Sequence, residues 1–449
     1  MNTREILNKV GNYDSFLTIE ELDERAQELS KKYNFELQEL GKSENNHPIY
    51  MIKVGNGPKK AFIWGFPHPN EPIGSLTIDF LINYFGNNPN EIKKSDYTWY
   101  FIYSIDPDGT KLNERWFKGK LTVDKYFYNF FRPSADRMID WTFPIKYKDF
   151  EWKSPLAETK ILMKLIGEIK PDLMYPLHNS GFGGAYFFCT QKFDDSYYEE
   201  IIKEVNNLEI PLHLGEPEEE FMIEIKKPFY FDFGFKDYYD YQVKLGRNPN
   251  EILKHGDNST GYLSRLNHLA VVIKGEVPYF YEKEILNNSL SDKTRREIWL
   301  KMIEESDKNL IFYSKFLPSI LKDLKEPDPH YYIIKQLERK IKIGNSHLKN
   351  HVLSSNEFDR RATFSEIFDA DIGYKFYTGL SFGQLRRAAI KAKLDNNKIK
   401  EIENKMKEYS QEIERRFKLK TISIKKLVQL QLLVLFETIN AISKKAIIS

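Results

Sequence analysis

The chain has 449 residues, 41% of them hydrophobic, enough for a large core and, by size, two or three domains. Its 67 basic and 65 acidic side chains leave a formal charge of +2, so no strong field for nucleic acid is built in, and Lys/Glu runs such as 400–408 read as solvated helix faces. The single cysteine, Cys189, excludes an internal disulfide framework and, with a start that lacks an apolar signal region, points to the cytoplasm.

Residues 1–40 predict an amphipathic helix with a capping box between Thr18 and Glu21. From 41 to 190 apolar runs alternate with helical patterns, which predicts an α/β sheet with helices on both faces. Residues 61–66 read as a short buried strand, Pro67 and Pro69 end it, and a helix-like segment covers 74–85. Between them His68-Pro-Asn-Glu71 offers an imidazole and a carboxylate, two of the three protein ligands that a catalytic zinc ion takes while leaving a position for water. The spacing alone does not choose, because His213-Leu-Gly-Glu216 repeats it in what reads as an acidic surface loop; the strand end does, since α/β sheets place their chemistry there. His178, at the end of another apolar run and before a glycine-rich turn, is the best third ligand.

Residues 215–241, rich in proline, glutamate and aromatics, look like part of an insertion of about 205–255 that walls the pocket and sets specificity. After about residue 284 strand signals stop, and 297–325, 331–348 and 385–445 read as helices with 3.6-residue periodicity. The division expected is therefore 1–285 for a catalytic domain and 286–449 for a helical C-terminal domain, whose apolar stripe packs on the first or, less favoured, makes a homo-oligomer. The late apolar run 427–439 is interrupted by Gln429, Gln431 and Glu437 and is not expected to span a membrane.

Four motifs in order resemble one family. They are Ser43-Glu-Asn-Asn-His-Pro-Ile49, the His68/Glu71 pair, Asp106-Pro-Asp-Gly109, and Lys170-Pro-Asp-Leu173 leading to His178. Over residues 15–190 the chain looks like the zinc metallocarboxypeptidases, the group of carboxypeptidase A and bacterial γ-glutamyl-diamino-acid peptidases. The resemblance implies a mixed twisted sheet flanked by helices, one Zn²⁺ per chain held by His68, Glu71 and His178, and a peptide or peptide-like substrate. It also implies Glu276 as general base, Arg115 or Lys118 on the oxyanion, Tyr262 as a mobile substrate-binding tyrosine, and Asp140 as the carboxylate that orients a ligand imidazole.

One departure stands out. The family's Asn-Arg pair, which grips a terminal carboxylate, is replaced by Trp141-Thr142, and neither residue can clamp a carboxylate bidentately. Arg132 or Arg137 could compensate, and Trp141 could stack on an aromatic or sugar group. The reading is thus zinc-dependent hydrolysis of a peptide-like amide bond. Alternatives are a zinc amidase or deacylase of a small acyl-amino acid, or a catalytically silent peptide binder.

Overall fold

In the computed structural model, which describes residues 2–417, 419–444 and 446–448, nine strands form one mixed sheet: β1 (Glu36–Lys42), β2 (Pro48–Val54), β3 (Lys59–Trp64), β4 (Tyr97–Ile102), β5 (Leu173–Pro176), β6 (Tyr186–Cys189), β7 (Glu224–Lys226), β8 (Phe229–Phe231) and β9 (Val271–Glu276). They are ordered β1-β2-β4-β3-β5-β9-β6-β8-β7. The centre is parallel: β3 pairs with β4 and β5, and β5 with β9. The flanks are antiparallel at β1/β2/β4 and at β9/β6. The expected mixed sheet is present, and the segment anticipated as an insertion adds β7 and β8 to its edge.

Strand alternation splits the core into two layers. Ala61 and Ile63 point into one apolar cluster, Phe62 and Trp64 into another, as period-two side chains must. The first layer contains α1 (Ile19–Tyr33) and α2 (Ile73–Asn87); the second contains α4 (Ala157–Ile169), which follows the short α3 (Val123–Asn129) in sequence. The expected capping box opens α1: Glu21 N–H donates to Thr18 Oγ1 at 3.3 Å, and Thr18 N–H to Glu21 Oε2 at 2.7 Å.

Later helices are α5 (Asp195–Asn207), α6 (Ser259–Leu266), α7 (Arg295–Ser314), α8 (Pro329–Ile343), α9 (Tyr374–Lys391), α10 (Asn396–Arg416) and α11 (Ile424–Ser443). Helix α11 is long and apolar enough to cross a membrane, but 72% of that window is buried, against α2, α5 and β9. Its side chains, and those of α7 to α10, share the first apolar cluster with β3, β5 and β9, so one core runs across residue 285.

Asp106, in the turn that resembles the family's Asn-Pro-Asp-Gly, is 8% exposed and accepts the Gly109 N–H at 2.8 Å. Burial, then the field of Glu158, raises its pKa to about 8. The folded chain therefore holds this proton more tightly than the unfolded one, and stability from this group falls as pH rises from the usual carboxylate range to about 8. Asp106→Asn keeps the acceptor and cannot ionise. Its melting temperature relative to the parent is expected to climb between pH 4 and pH 8 and then level off; a constant difference across that window would contradict a protonated Asp106.

Candidate metal centre and active site

Three neighbouring parallel strands end on one edge of the sheet and each delivers a functional side chain there: β3 leads to His68, β5 to His178, and Glu276 closes β9. After β3 the backbone turns sharply, with Phe66 in the left-handed region (φ 54) although it is not glycine, a cost borne where geometry at a site is over-determined. Helix α2 can then start close to β5 because Gly74 has no side chain; a Cβ there would lie 2.6 Å from that of Leu177.

One ligand atom from each of His68, Glu71 and His178 lies within 4.8 Å of the others. His68 Nδ1 is 2.8 Å from Glu71 Oε1, and His178 Nδ1 is 3.1 Å from Glu71 Oε2 without hydrogen-bonding geometry. His68 Nε2, Glu71 Oε2 and both His178 ring nitrogens have no hydrogen-bond partner although all three residues are 5% exposed or less. Burial, reinforced by nearby cations, pushes the His68 pKa well down; burial also takes that of His178 to about 4. Two neutral imidazoles and a carboxylate with orphaned lone pairs fit a divalent zinc ion in chemistry and number. The other such grouping among the described residues, Glu220, His351 and Glu357, reaches solvent through the exposed Glu357 and is already paired through Lys244, Tyr241 and His351.

Around the trio the side chains are mutually supported. Asp140, 2% exposed, accepts the Ser259 N–H at 3.0 Å and places Oδ2 4.0 Å from His178 Nε2, beyond hydrogen-bonding distance. Its pKa is raised by burial to about 6, against the pull of Lys274 and Ser259. Glu276 Oε1 lies 3.6 Å from His178 Nδ1, and burial together with the fields of Glu71 and Glu218 raises its pKa well above the carboxylate range.

The predicted cations separate. Arg132 lines the cavity with its guanidinium 3.5 Å from Glu71 Oε1. Arg115 and Lys118 do not line it: Arg115 is exposed on the outer side of a short turn, and Lys118 pairs with Glu21 at 2.6 Å. Arg137 is ion-paired with Glu44 and stacked over Tyr332. Tyr262 packs on Phe143 in the second apolar cluster, away from the cavity. Of the residues expected at the oxyanion or the substrate, Arg132 and Trp141 line the cavity, and Arg115, Lys118, Arg137 and Tyr262 do not. Lys118, Arg137 and Tyr262 are turned to partners outside the cleft, and Arg115 faces solvent.

Trp141 is in the cavity wall, edge-on to Tyr238 and His255 at 5.3 and 5.2 Å, whereas Thr142 is fully buried and bonded to Thr159. The His213/Glu216 loop is not a surface loop. Glu216 is clamped by Arg295 through three hydrogen bonds of 2.6 to 3.0 Å, and both residues are buried.

Sequence reasoning missed Lys274, Glu218 and Gln431. Lys274 sits two residues before Glu276, hence on the same strand face, and its charge survives burial through Asp232 at 2.9 Å. Glu218 lines the cavity and accepts the Tyr186 hydroxyl at 3.0 Å. Gln431 on α11 is fully buried; its amide donates to the His178 carbonyl at 3.0 Å and accepts from Thr77 at 2.6 Å. The glutamines that broke the late apolar run were the available signal, since a buried amide requires partners.

Residues 21–205 match the sequence model of the zinc carboxypeptidase family, a span that holds His68, Glu71 and His178. The family resemblance and the zinc metallopeptidase class read from the motifs are thereby borne out. No curated protein sequence matches significantly. Solved structures with similarity include a candidate metallopeptidase from Shewanella amazonensis, with 11% identity, 58% of this chain and 84% of that one covered, and a TM-score of 0.41. A metallo-carboxypeptidase from Burkholderia cenocepacia shares 13% identity over 58% and 60% of the two chains at 0.34, and carboxypeptidase A from Helicoverpa armigera 12% over 62% and 69% at 0.36.

Proposed function

We propose that this protein hydrolyses an amide bond of a peptide or peptide-like substrate, with zinc held by His68, Glu71 and His178. The observation that carries the reading is the convergence of three buried ligand side chains, a partly exposed carboxyl at Glu276 and a guanidinium at Arg132 on one sheet edge. Zinc bound there would supply a Lewis acid that acidifies water and polarises a carbonyl. The charge of a bound zinc ion would favour the ionised form of Glu276, whose carboxylate then takes a proton from the attacking water and passes it to the departing amine. Arg132 faces the negative charge that develops on the carbonyl oxygen. Asp140 faces His178 Nε2 from 4.0 Å with its negative charge, and Gln431 fixes the backbone behind that ring.

A second reading, an amidase or deacylase acting on a small acyl-amino acid, draws support from positions 141 and 142. Thr142 is bonded away from the cavity, and Trp141 lines the cavity at the position where the resemblance puts one member of the carboxylate-gripping pair.

Elemental analysis of the parent and of His178→Ala tests the centre. One zinc per parent chain and a loss of at least most of it in the variant are expected, together with chelator-sensitive cleavage in a panel of short peptides and acyl-amino acids. Equal zinc in both proteins, or none in either, would rule the site out.

A further inference from the structure

Helix α9, in the C-terminal third, has two working faces. Phe376, Gly379 and Gly383 form the inner one, against α3. A Cβ at Gly383 would fall 1.9 Å from the Phe127 carbonyl oxygen and one at Gly379 2.1 Å from its ring, while Phe376 is fully buried and stacks on Phe182 at 5.1 Å. Tyr374, Tyr377, Ser381 and Gln384 follow one another at intervals of three or four residues, the spacing of a single helix face, and all line the cavity that holds His68 and Glu276. Gln384 Oε1 accepts the Arg132 N–H at 2.9 Å, and Arg387 donates to the Asn129 and Phe130 carbonyls at 2.9 and 3.0 Å. The cavity-facing side of α9 is therefore fixed relative to the segment that carries Arg132, because the close-packed inner face resists displacement.

Among the described residues five tyrosines line the cavity, and four of their hydroxyls are committed. Tyr186 and Tyr238 donate to Glu218 and Glu219 at 3.0 Å each, Tyr374 accepts the Asn309 amide at 3.0 Å, and Tyr126 is fully buried and bonded to Asn70. Tyr377 differs. Its side chain is 46% exposed, and its hydroxyl reaches the Phe182 carbonyl at 3.4 Å, well beyond the ~2.7–2.8 Å of a good O–H···O bond. The surrounding protein, then the negative fields of Asp369, Glu218 and Glu276, raises its pKa above the usual tyrosine range, so the phenol keeps its proton and can donate it. Those same carboxylates favour a neutral acceptor over an anion beside it.

We infer that Tyr377 is a substrate contact supplied by the C-terminal third: its hydroxyl donates a hydrogen bond to a carbonyl oxygen of the bound peptide or amide. The inference rests on the reading that the cleft is a hydrolytic site, and adds to it a recognition residue on a helix outside the span 21–205 that matches the family. Its physical basis is a protonated donor, held on a rigid helix face, that has only one weak partner within the chain and meets whatever enters the cleft.

The test uses Tyr377→Phe in the full zinc-loaded chain, which removes the hydroxyl and keeps the ring. With N-acetylated tripeptides as probes, kcat/KM is expected to fall about three- to tenfold, the net effect of one neutral hydrogen bond, at an unchanged melting temperature. Binding of the same peptides to zinc-loaded Glu276→Gln, with and without Tyr377→Phe, is read by calorimetry and is expected to weaken by a similar factor. Peptides in which one carbonyl at a time is replaced by a thioamide, a poorer acceptor, locate the contact. At one position the replacement should weaken binding to Glu276→Gln several-fold and leave binding to the double variant unchanged, a pattern that a merely structural hydroxyl would not give. Binding that depends on Tyr377 without any cleavage by the parent would overturn the hydrolytic reading and support the contact. Equal affinity with and without the hydroxyl, thioamide losses that are the same in both proteins at every position, or no binding of any peptide would overturn the contact.

Discussion

Replacing Glu276 by glutamine is expected to leave zinc bound and to lower kcat by about 10²–10⁴-fold, the usual contribution of a positioned proton-transfer group. Glutamine has nearly the same shape, so β9 and its pairing with β6 should persist, and the ligand set His68, Glu71 and His178 is untouched. What is lost is the lone pair that accepts a proton. The side chain is placed for that task by the strand itself: β9 runs between β5, which leads to His178, and β6, whose Tyr186 stands opposite Glu276 in register. Paired zinc and turnover measurements decide the matter. Loss of zinc together with activity would make Glu276 a ligand or a structural residue, and full activity would place the base elsewhere in the cavity, with Glu218 the next carboxyl to try.

How much of this was legible in the sequence follows from where each residue's information lies. His68, Glu71, His178 and Glu276 sit at the ends of apolar strands, and strand ends are visible as breaks in hydrophobic runs. Their convergence then follows from parallel pairing of adjacent strands, and the sheet needed only that pattern. Arg115 and Lys118 illustrate the opposite case. They lie in the expected stretch, but rotation about a short turn decides whether a side chain faces the cleft or solvent, and no periodicity records it. Asp140 lies in the expected stretch too, and there the Ser259 N–H ties down one carboxylate oxygen while the other stands 4.0 Å from His178 Nε2. His213 and Glu216 misled, since the acidic composition around them suits a surface, which Glu218 does keep; Glu216 is buried on a distant partner, Arg295. The part played by the C-terminal helices was likewise hidden, because an apolar stripe states that a helix is covered and not by what. Gln431 and the Gly379/Gly383 pair carried the missing information, one through an amide that needs buried partners, the other through a stripe with no side chains at a close helix crossing.

Arg132→Ala should lower kcat by about 10²–10³, equivalent to ~2.7–4 kcal/mol of transition-state stabilisation, if its guanidinium meets the charge that grows on the scissile carbonyl. Arg115→Ala should stay within ~0.5 kcal/mol of the parent, as expected for an exposed side chain that touches no part of the site. The contrast matters because both arginines stand in the same stretch and only their surroundings distinguish them. Arg132 has its backbone tied to Gln384 and its side chain 3.5 Å from Glu71, so its charge is held near the trio whether or not substrate is present. The split between kinetic constants then identifies the role. A fall in kcat at unchanged KM means that the charge acts as the reaction proceeds; a rise in KM at unchanged kcat means that Arg132 instead holds a carboxylate of the bound substrate, the task left open by Trp141 and Thr142. Arg132→Lys sharpens the distinction, because an ammonium restores charge but not a two-pronged grip. Recovery by lysine favours the oxyanion role, failure of lysine favours carboxylate recognition, and an inactive Arg115→Ala beside an active Arg132→Ala would return the oxyanion to the position first expected for it.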